Sequence, residues 1–248
     1  MPPDDPFPST STTWMHGELS AGEERRRALR TVVMARYFEP LRVYVKGSSY
    51  RNLGESAELV SAFFVSRFAR DDYLQAWQQS GMTLRRWLIN GLILSMREEV
   101  RRRRRASKRG MQDVREGAGN GKEDSGGEAG DPLASLESPE PEAAAAFERA
   151  WAVSILREAC EEVETICNAD GQDRAWLVFR RHFLDGVPYA LLADETGFDP
   201  SRAAVVARSV GNRVRAALRR LIVRDGIPEE DVERELSRIA AMMGGDGW

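Results

Sequence analysis

The chain has 248 residues, enough for one or two ordinary domains with real cores, and a formal net charge of −3. That net hides a division: 1–112 carries 20 Lys and Arg against 12 Asp and Glu, 113–145 carries 2 against 9, and 146–248 carries 14 against 18. A basic part followed by an acidic spacer points to a polyanion partner. No apolar run reaches the roughly 18 residues of a membrane span, and Met1 to Ser20 lacks the basic start and apolar stretch of a signal peptide. These features predict a soluble, cytoplasmic chain with no membrane partner.

Residues 1–20, rich in Pro, Ser and Thr, form a predicted flexible arm. From Ala21 the spacing of Leu29, Val33, Tyr37 and Leu41 predicts a helix that Pro40 should kink or break. A second helix is predicted over Glu55 to Phe68, with Leu59, Val60, Phe63, Phe64 and Phe68 on its apolar face. Asp71 to Gly81 looks like a polar connection. A third, long helix carries Leu84, Leu88, Leu92, Met96 and Val100 on one stripe and ends in Arg101 to Arg105, Lys108 and Arg109.

The stretch 112–143 loses its period and fills with Gly, Glu, Asp, Pro and Ser. It offers too little apolar surface to offset chain entropy, which predicts a disordered acidic linker. Helical spacing resumes with Phe147, Trp151, Ile155, Ala159, Val163 and Ile166, then with Trp176, Phe179 and Phe183 up to Asp185-Gly186. Cys160 and Cys167 lie on one face of this pattern, seven apart, and fit core thiols better than a metal site. Two further helices are expected at 188–196 and 200–224, and Val232, Leu236, Ile239 and Met243 mark a last amphipathic helix within 226–248. No segment alternates as a strand does, so the predicted fold is all-α.

Tyr189 to Arg208 carries the most specific pattern. Leu192 and Ala193 precede Gly197, and Ala203 and Val206 follow it, at the spacing of a helix-turn-helix: a small contact residue, a turn with positive φ, and an apolar inner face. Asp199-Pro200 supplies an N-cap and a first-turn proline. Outward positions are Ser201, Arg202, Ala204, Val205, Arg208 and Asn212. The stretch 200–224 holds seven arginines and no acid, which suits a helix read against phosphate and base edges. Its N-terminus is expected to be open to phosphate. A solvated helix of a plain bundle is the alternative.

These residues resemble the extracytoplasmic-function sigma factors. A family motif of the form D-A-E-D-L-V-Q-E-V-F is matched by Glu55-Ser56-Ala57-Glu58-Leu59-Val60-Ser61-Ala62-Phe63-Phe64. The pattern F-R-x-W-L before an Arg-ended helix is similar to Leu84-Arg85-Arg86-Trp87-Leu88. The pattern S-Y-x-E-I-A-x-x-L-G is similar to Pro188 through Gly197. The resemblance covers about 25–110 and 146–224, in the family's order. It implies a region-two-like bundle over 21–111 and a region-four-like helix-turn-helix domain over 144–225.

By the same resemblance the chain would be a transcription initiation factor, and it is expected to be no enzyme and to need no cofactor or metal. It would bind the clamp and flap of RNA polymerase core, recognise minus-thirty-five and minus-ten promoter DNA, and support melting. An anti-sigma factor or other regulatory protein would be a natural further partner. Glu55, Glu58, Leu59, Ser61 and Ala62 would face polymerase, and the 71–81 connection would receive a flipped base. Arg85, Arg86, Trp87, Arg97, Arg101, Arg102 and Arg104 would lie along minus-ten DNA, with Trp87 either stacking on a base or packing in the core. Ser201, Arg202, Val205, Arg208, Asn212 and Arg213 would lie along minus-thirty-five DNA. The chain departs from the family at Ser61-Ala62, which replace a Gln-Glu pair, at Leu94 in place of an Asn, and at Asp199-Pro200-Ser201 in place of Ser-Glu-Gly. The competing expectation is a helix-turn-helix regulator, or an adaptor, acting without the sigma–core contact.

Overall fold

The computed structural model describes residues 22–70, 72–113 and 140–243, and these contain helices and turns but no strand. The all-α expectation therefore holds among the described residues. The expected arm at 1–20, most of the expected linker and Asp71 lie outside them. The chain divides into two compact units, the first ending at Glu148 and the second beginning at Arg149.

In the first unit, α1 (Glu23–Gly47) runs unbroken through Pro40. Of the kink or break that the sequence predicted there, the break does not occur. Burial of Tyr37, Leu41, Tyr44 and Val45 on both sides of the proline outweighs its penalty of about 3 kcal/mol. α2 (Ser56–Phe63) passes into a wider π turn, Phe64–Phe68. Phe63, Phe64 and Phe68 are all buried, and the Phe64 and Phe68 rings meet edge-on at 5.2 Å.

The expected polar connection after Phe68 is instead a helix, α3 (Tyr73–Ser80). Its polar composition masked three anchors, Tyr73, Leu74 and Trp77, which are buried at helical spacing. Gly81 ends it at φ 67°. The long α4 (Leu84–Asp113) buries Leu84, Trp87, Leu88, Leu92 and Met96. Tyr73 packs so closely on α4 that a Cβ at Gly91 would stand 2.1 Å from its hydroxyl oxygen.

Helix α5 (Pro141–Ala169) begins within the stretch expected to be linker, and the division between the units falls inside it, after Glu148. Its first turns complete the first unit. Ala143 and Phe147 are fully buried, and Phe147 stacks on Tyr37 at 6.4 Å.

The second unit packs the rest of α5 with α6 (Asp173–Phe179), α7 (Ala193–Thr196), α8 (Pro200–Arg224) and α9 (Val232–Met242). A π turn, Arg180–Leu184, extends α6 to Gly186 at φ 72°. Trp151 donates its indole N–H to the buried carboxylate of Asp225 at 2.9 Å, tying α5 to the end of α8. Cys160 and Cys167 are both free and buried, as the spacing suggested.

Candidate nucleic-acid interface

Where the sequence suggested a helix-turn-helix, the turn between α7 and α8 is built on a small cluster: Val178, Leu192, Ala203 and Ala207, closed over by Val187, Tyr189 and Phe198. The helix expected over 188–196 is divided into a 3₁₀ turn, Tyr189–Leu191, and the single turn of α7. Thr196 donates its hydroxyl to the Leu192 carbonyl at 2.6 Å, and Gly197 follows at φ 74°. That left-handed residue lets the chain reverse toward Asp199 without a Cβ clash. Ala203 and Ala207 are the fully buried inner residues of α8, whereas Val206 is half-buried. Small side chains there bring the helices close.

Asp199 caps α8. Its Oδ1 accepts the backbone N–H groups of Ser201 and Arg202, each at 3.0 Å. The expectation of a helix start open to phosphate is thereby corrected, because the carboxylate already occupies those donors and its charge would repel a phosphate. Ser201, Arg202, Val205, Arg208 and Asn212 are exposed on one stripe of α8, with Val205 62% exposed. Ala204, expected to face outward, is half-buried.

The arginines of α8 fall into two groups. Arg213 lies 3.9 Å from Asp170 and donates to the Cys167 sulfur at 3.7 Å. Arg215 pairs with Glu233, Arg219 with Glu229 and Glu233, and Arg220 with Glu162. By contrast, Arg202 and Arg208 pair with no described carboxylate. Most of the seven-arginine charge is thus internal to the unit, and the open charge sits in the first half of α8. Arg213 is the one residue of the expected minus-thirty-five set drawn away from the stripe. Helix α9 supplies Glu233 and packs on α8 through buried Val232, Leu236 and Ile239.

In the first unit, Glu55, Glu58, Ser61 and Ala62 are exposed and Leu59 is half-buried, so the five expected polymerase-facing residues lie along the outer face of α2 and at its N-cap, Glu55. Val65, 76% exposed, continues that face. The expected minus-ten residues divide. Arg85 is only 5% exposed, and its Nη1 donates to Glu148 at 2.7 Å. Trp87 is 1% exposed beside Tyr73, ring centroids 5.7 Å apart. For Trp87 this is the core alternative, since α3 covers it; for Arg85 it is a correction, because the start of α5 covers the side chain. Arg86 is half-buried.

Beyond Met96 the apolar stripe of α4 ends, and Arg101 to Arg105 stand out from the core. Arg97 is half-buried and donates from Nε to the Tyr50 hydroxyl at 3.3 Å. Ser49 and Tyr50 line a shallow groove with Arg97, Arg101 and Arg104, and a second groove runs past Arg101, Arg102 and Arg105. Glu99 answers part of this charge, bonding Arg102 at 2.6 Å and Arg103 at 2.7 Å. The hydrogen bond from Arg103 holds its carboxyl below the usual carboxylate range.

Ser49 and Tyr50 are participants that the sequence did not suggest. They stand 47 or more positions before Arg97, and only the fold brings them beside it. Glu140, also unforeseen, accepts the Ser49 N–H and hydroxyl, the latter at 2.7 Å. Burial, with the Glu140 charge nearby, pushes the Tyr44 hydroxyl up to about 12.

Among the described residues, no three His, Cys, Asp or Glu side chains converge as a metal site, and no helix is long and apolar enough to cross a membrane. The chain matches no protein-family model, no curated protein and no solved structure.

Proposed function

We propose that this chain is a promoter-recognition factor of the extracytoplasmic-function sigma type. In this reading the second unit reads duplex DNA at the minus-thirty-five element, and the first engages polymerase core and minus-ten DNA. One observation carries the reading furthest. In the second half of α8 the arginines find acidic partners, while Arg202 and Arg208 share the exposed stripe with no described carboxylate beside them. A stripe of cations left unneutralised beside a helix-turn-helix supports docking in a major groove.

The minus-ten role then falls to Arg86, Arg97, Arg101, Arg102 and Arg104, since Arg85 and Trp87 are buried. Arg97, Arg101 and Arg104 recur at helical spacing beside Tyr50, a geometry suited to following a phosphate backbone. The polymerase role falls to the outer face of α2. A cytoplasmic location and recruitment to the clamp and flap are parts of the same proposal.

The experiment has two arms. Purified chain is passed over immobilised bacterial RNA polymerase core, and duplex DNA binding is measured with and without core. A sigma factor binds core and gains promoter-dependent DNA opening. A chain that binds duplex DNA but never core is a helix-turn-helix regulator or adaptor. The uncharged Ser61-Ala62 pair, exposed where the resemblance leads one to expect Gln-Glu, is the observation that favours this second reading.

A further inference from the structure

The stripe on α8 has a chemical grammar that goes beyond groove binding. We propose that it reads a three-base-pair element in which a thymine stands between two guanines on one strand. Val205 meets the thymine methyl, and Arg202 and Arg208 meet the guanines. The inference rests on the duplex-reading proposal above and specifies its sequence.

Spacing comes first. Arg202, Val205 and Arg208 stand at i, i+3 and i+6 of one helix. Zinc-finger helices use the same spacing to contact three successive bases, principally on one strand. Six residues rise about 9 Å at 1.5 Å each, and two base steps rise about 7 Å at 3.4 Å each. A modest tilt of the helix across the groove matches the two.

Chemistry then chooses the bases. A guanidinium offers parallel donors, and guanine alone presents two adjacent major-groove acceptors, O6 and N7. None of the three positions carries a hydrogen-bond acceptor, so cytosine N4 and adenine N6 would be left unanswered there. Val205 adds the one apolar surface of the exposed stripe at 62% exposure, while the packing of α8 is done by Ala203, Ala207 and Val210. Only thymine presents a methyl in the major groove. Asp199 already holds the first N–H donors of the helix, so discrimination falls to these side chains. The triplet reads the same in both directions, which makes the outcome independent of docking polarity.

The test uses the full chain, alone and with bacterial core polymerase, on a library of duplexes with a randomised centre. The expected enriched motif contains G-T-G. Replacing that thymine by deoxyuridine, which removes only the methyl, should weaken binding about fourfold, the equivalent of one buried CH₂. Val205→Ala should erase the thymine–uracil difference while keeping the guanine preference. Arg202→Ala should relax one flanking guanine by about tenfold or more. Helicity is checked for each variant; both positions are exposed, and Ala favours helix. Enrichment of a motif lacking this triplet, no enrichment at all, an unchanged affinity for the uracil duplex, or a Val205→Ala chain that still discriminates would each overturn the inference while leaving duplex binding standing. Failure to bind any duplex, with or without core, would overturn the duplex-reading proposal and the triplet with it.

Discussion

Replacing Glu148 by Gln should destabilise the first unit, and by more than removing the arginine it serves. Arg85 is 5% exposed, and its Nη1–Oε2 bond to Glu148 is 2.7 Å. The Glu148 side chain keeps 21% exposure. Loss of the carboxylate leaves a guanidinium charge in a poorly solvated site, for which breaking a buried pair costs about 3–5 kcal/mol. Glu148 still touches water, and exposed pairs contribute about 1 kcal/mol or less. An intermediate loss of about 2 kcal/mol is therefore expected for Glu148→Gln. Arg85→Met should cost less than 1 kcal/mol, since Met fills much of the volume and Glu148 can turn to solvent. The double variant should be more stable than Glu148→Gln alone. Urea titration followed by tryptophan fluorescence and helicity would measure all three, with the two units fitted as separate transitions. Arg85→Met should also leave the salt dependence of DNA binding unchanged. The reasoning is refuted if Glu148→Gln leaves the midpoint where it was, or if Arg85→Met lowers the slope of log affinity against log salt by about 0.9, the value for one lost phosphate contact.

Other perturbations have equally specific outcomes. Gly91→Ala should lower the first unit's stability by roughly 1–3 kcal/mol through overpacking; Tyr73→Phe should recover part of that by removing the oxygen 2.1 Å from the new Cβ, as read by thermal melting. Asp225→Ala strands the Trp151 indole N–H and should cost about 1–3 kcal/mol in chemical denaturation of the second unit, with Asp225→Asn milder because an acceptor remains. Replacing Arg101, Arg102 and Arg104 with Gln should lower the salt slope of DNA binding while leaving capture on polymerase core intact; loss of both together would mean the fold had failed. Burial, reinforced by Glu161 and Glu164, raises the Cys160 thiol to about 11. At pH 8 its alkylation should therefore be on the order of 100-fold slower than that of an ordinary thiol, accelerating only as pH climbs toward that value; mass mapping of the modified peptide would show it.

The sequence declared what repeats along it. The stripes of α4 and α8, the Asp199-Pro200 start, and the turn at Gly197 follow from spacing and residue type alone. Pro40 marked a place where the helix could break, and it does not break there, because tertiary burial exceeds a local penalty. The 71–81 stretch misled because three buried side chains among polar neighbours are enough for a two-turn helix packed on a core. Charge was the least legible property. Arg85, Arg101 and Arg202 are alike in a string of letters, yet a carboxylate 63 positions later neutralises the first and none of the described residues neutralises the other two. The same long-range pairing separates Arg215, Arg219 and Arg220 from Arg202 and Arg208 within one helix. Partners that distant leave no periodic mark.

The measurement that bears most directly on the proposed function is permanganate reactivity of thymines in a duplex selected by the chain, with bacterial polymerase core present. A sigma factor should make thymines near the start of transcription reactive only when chain and core are both added. Glu58→Lys, on the exposed face of α2, should abolish that signal and core capture without weakening duplex binding by the second unit. Thymines that stay protected with both proteins bound, or a chain that never joins core, would contradict the sigma reading.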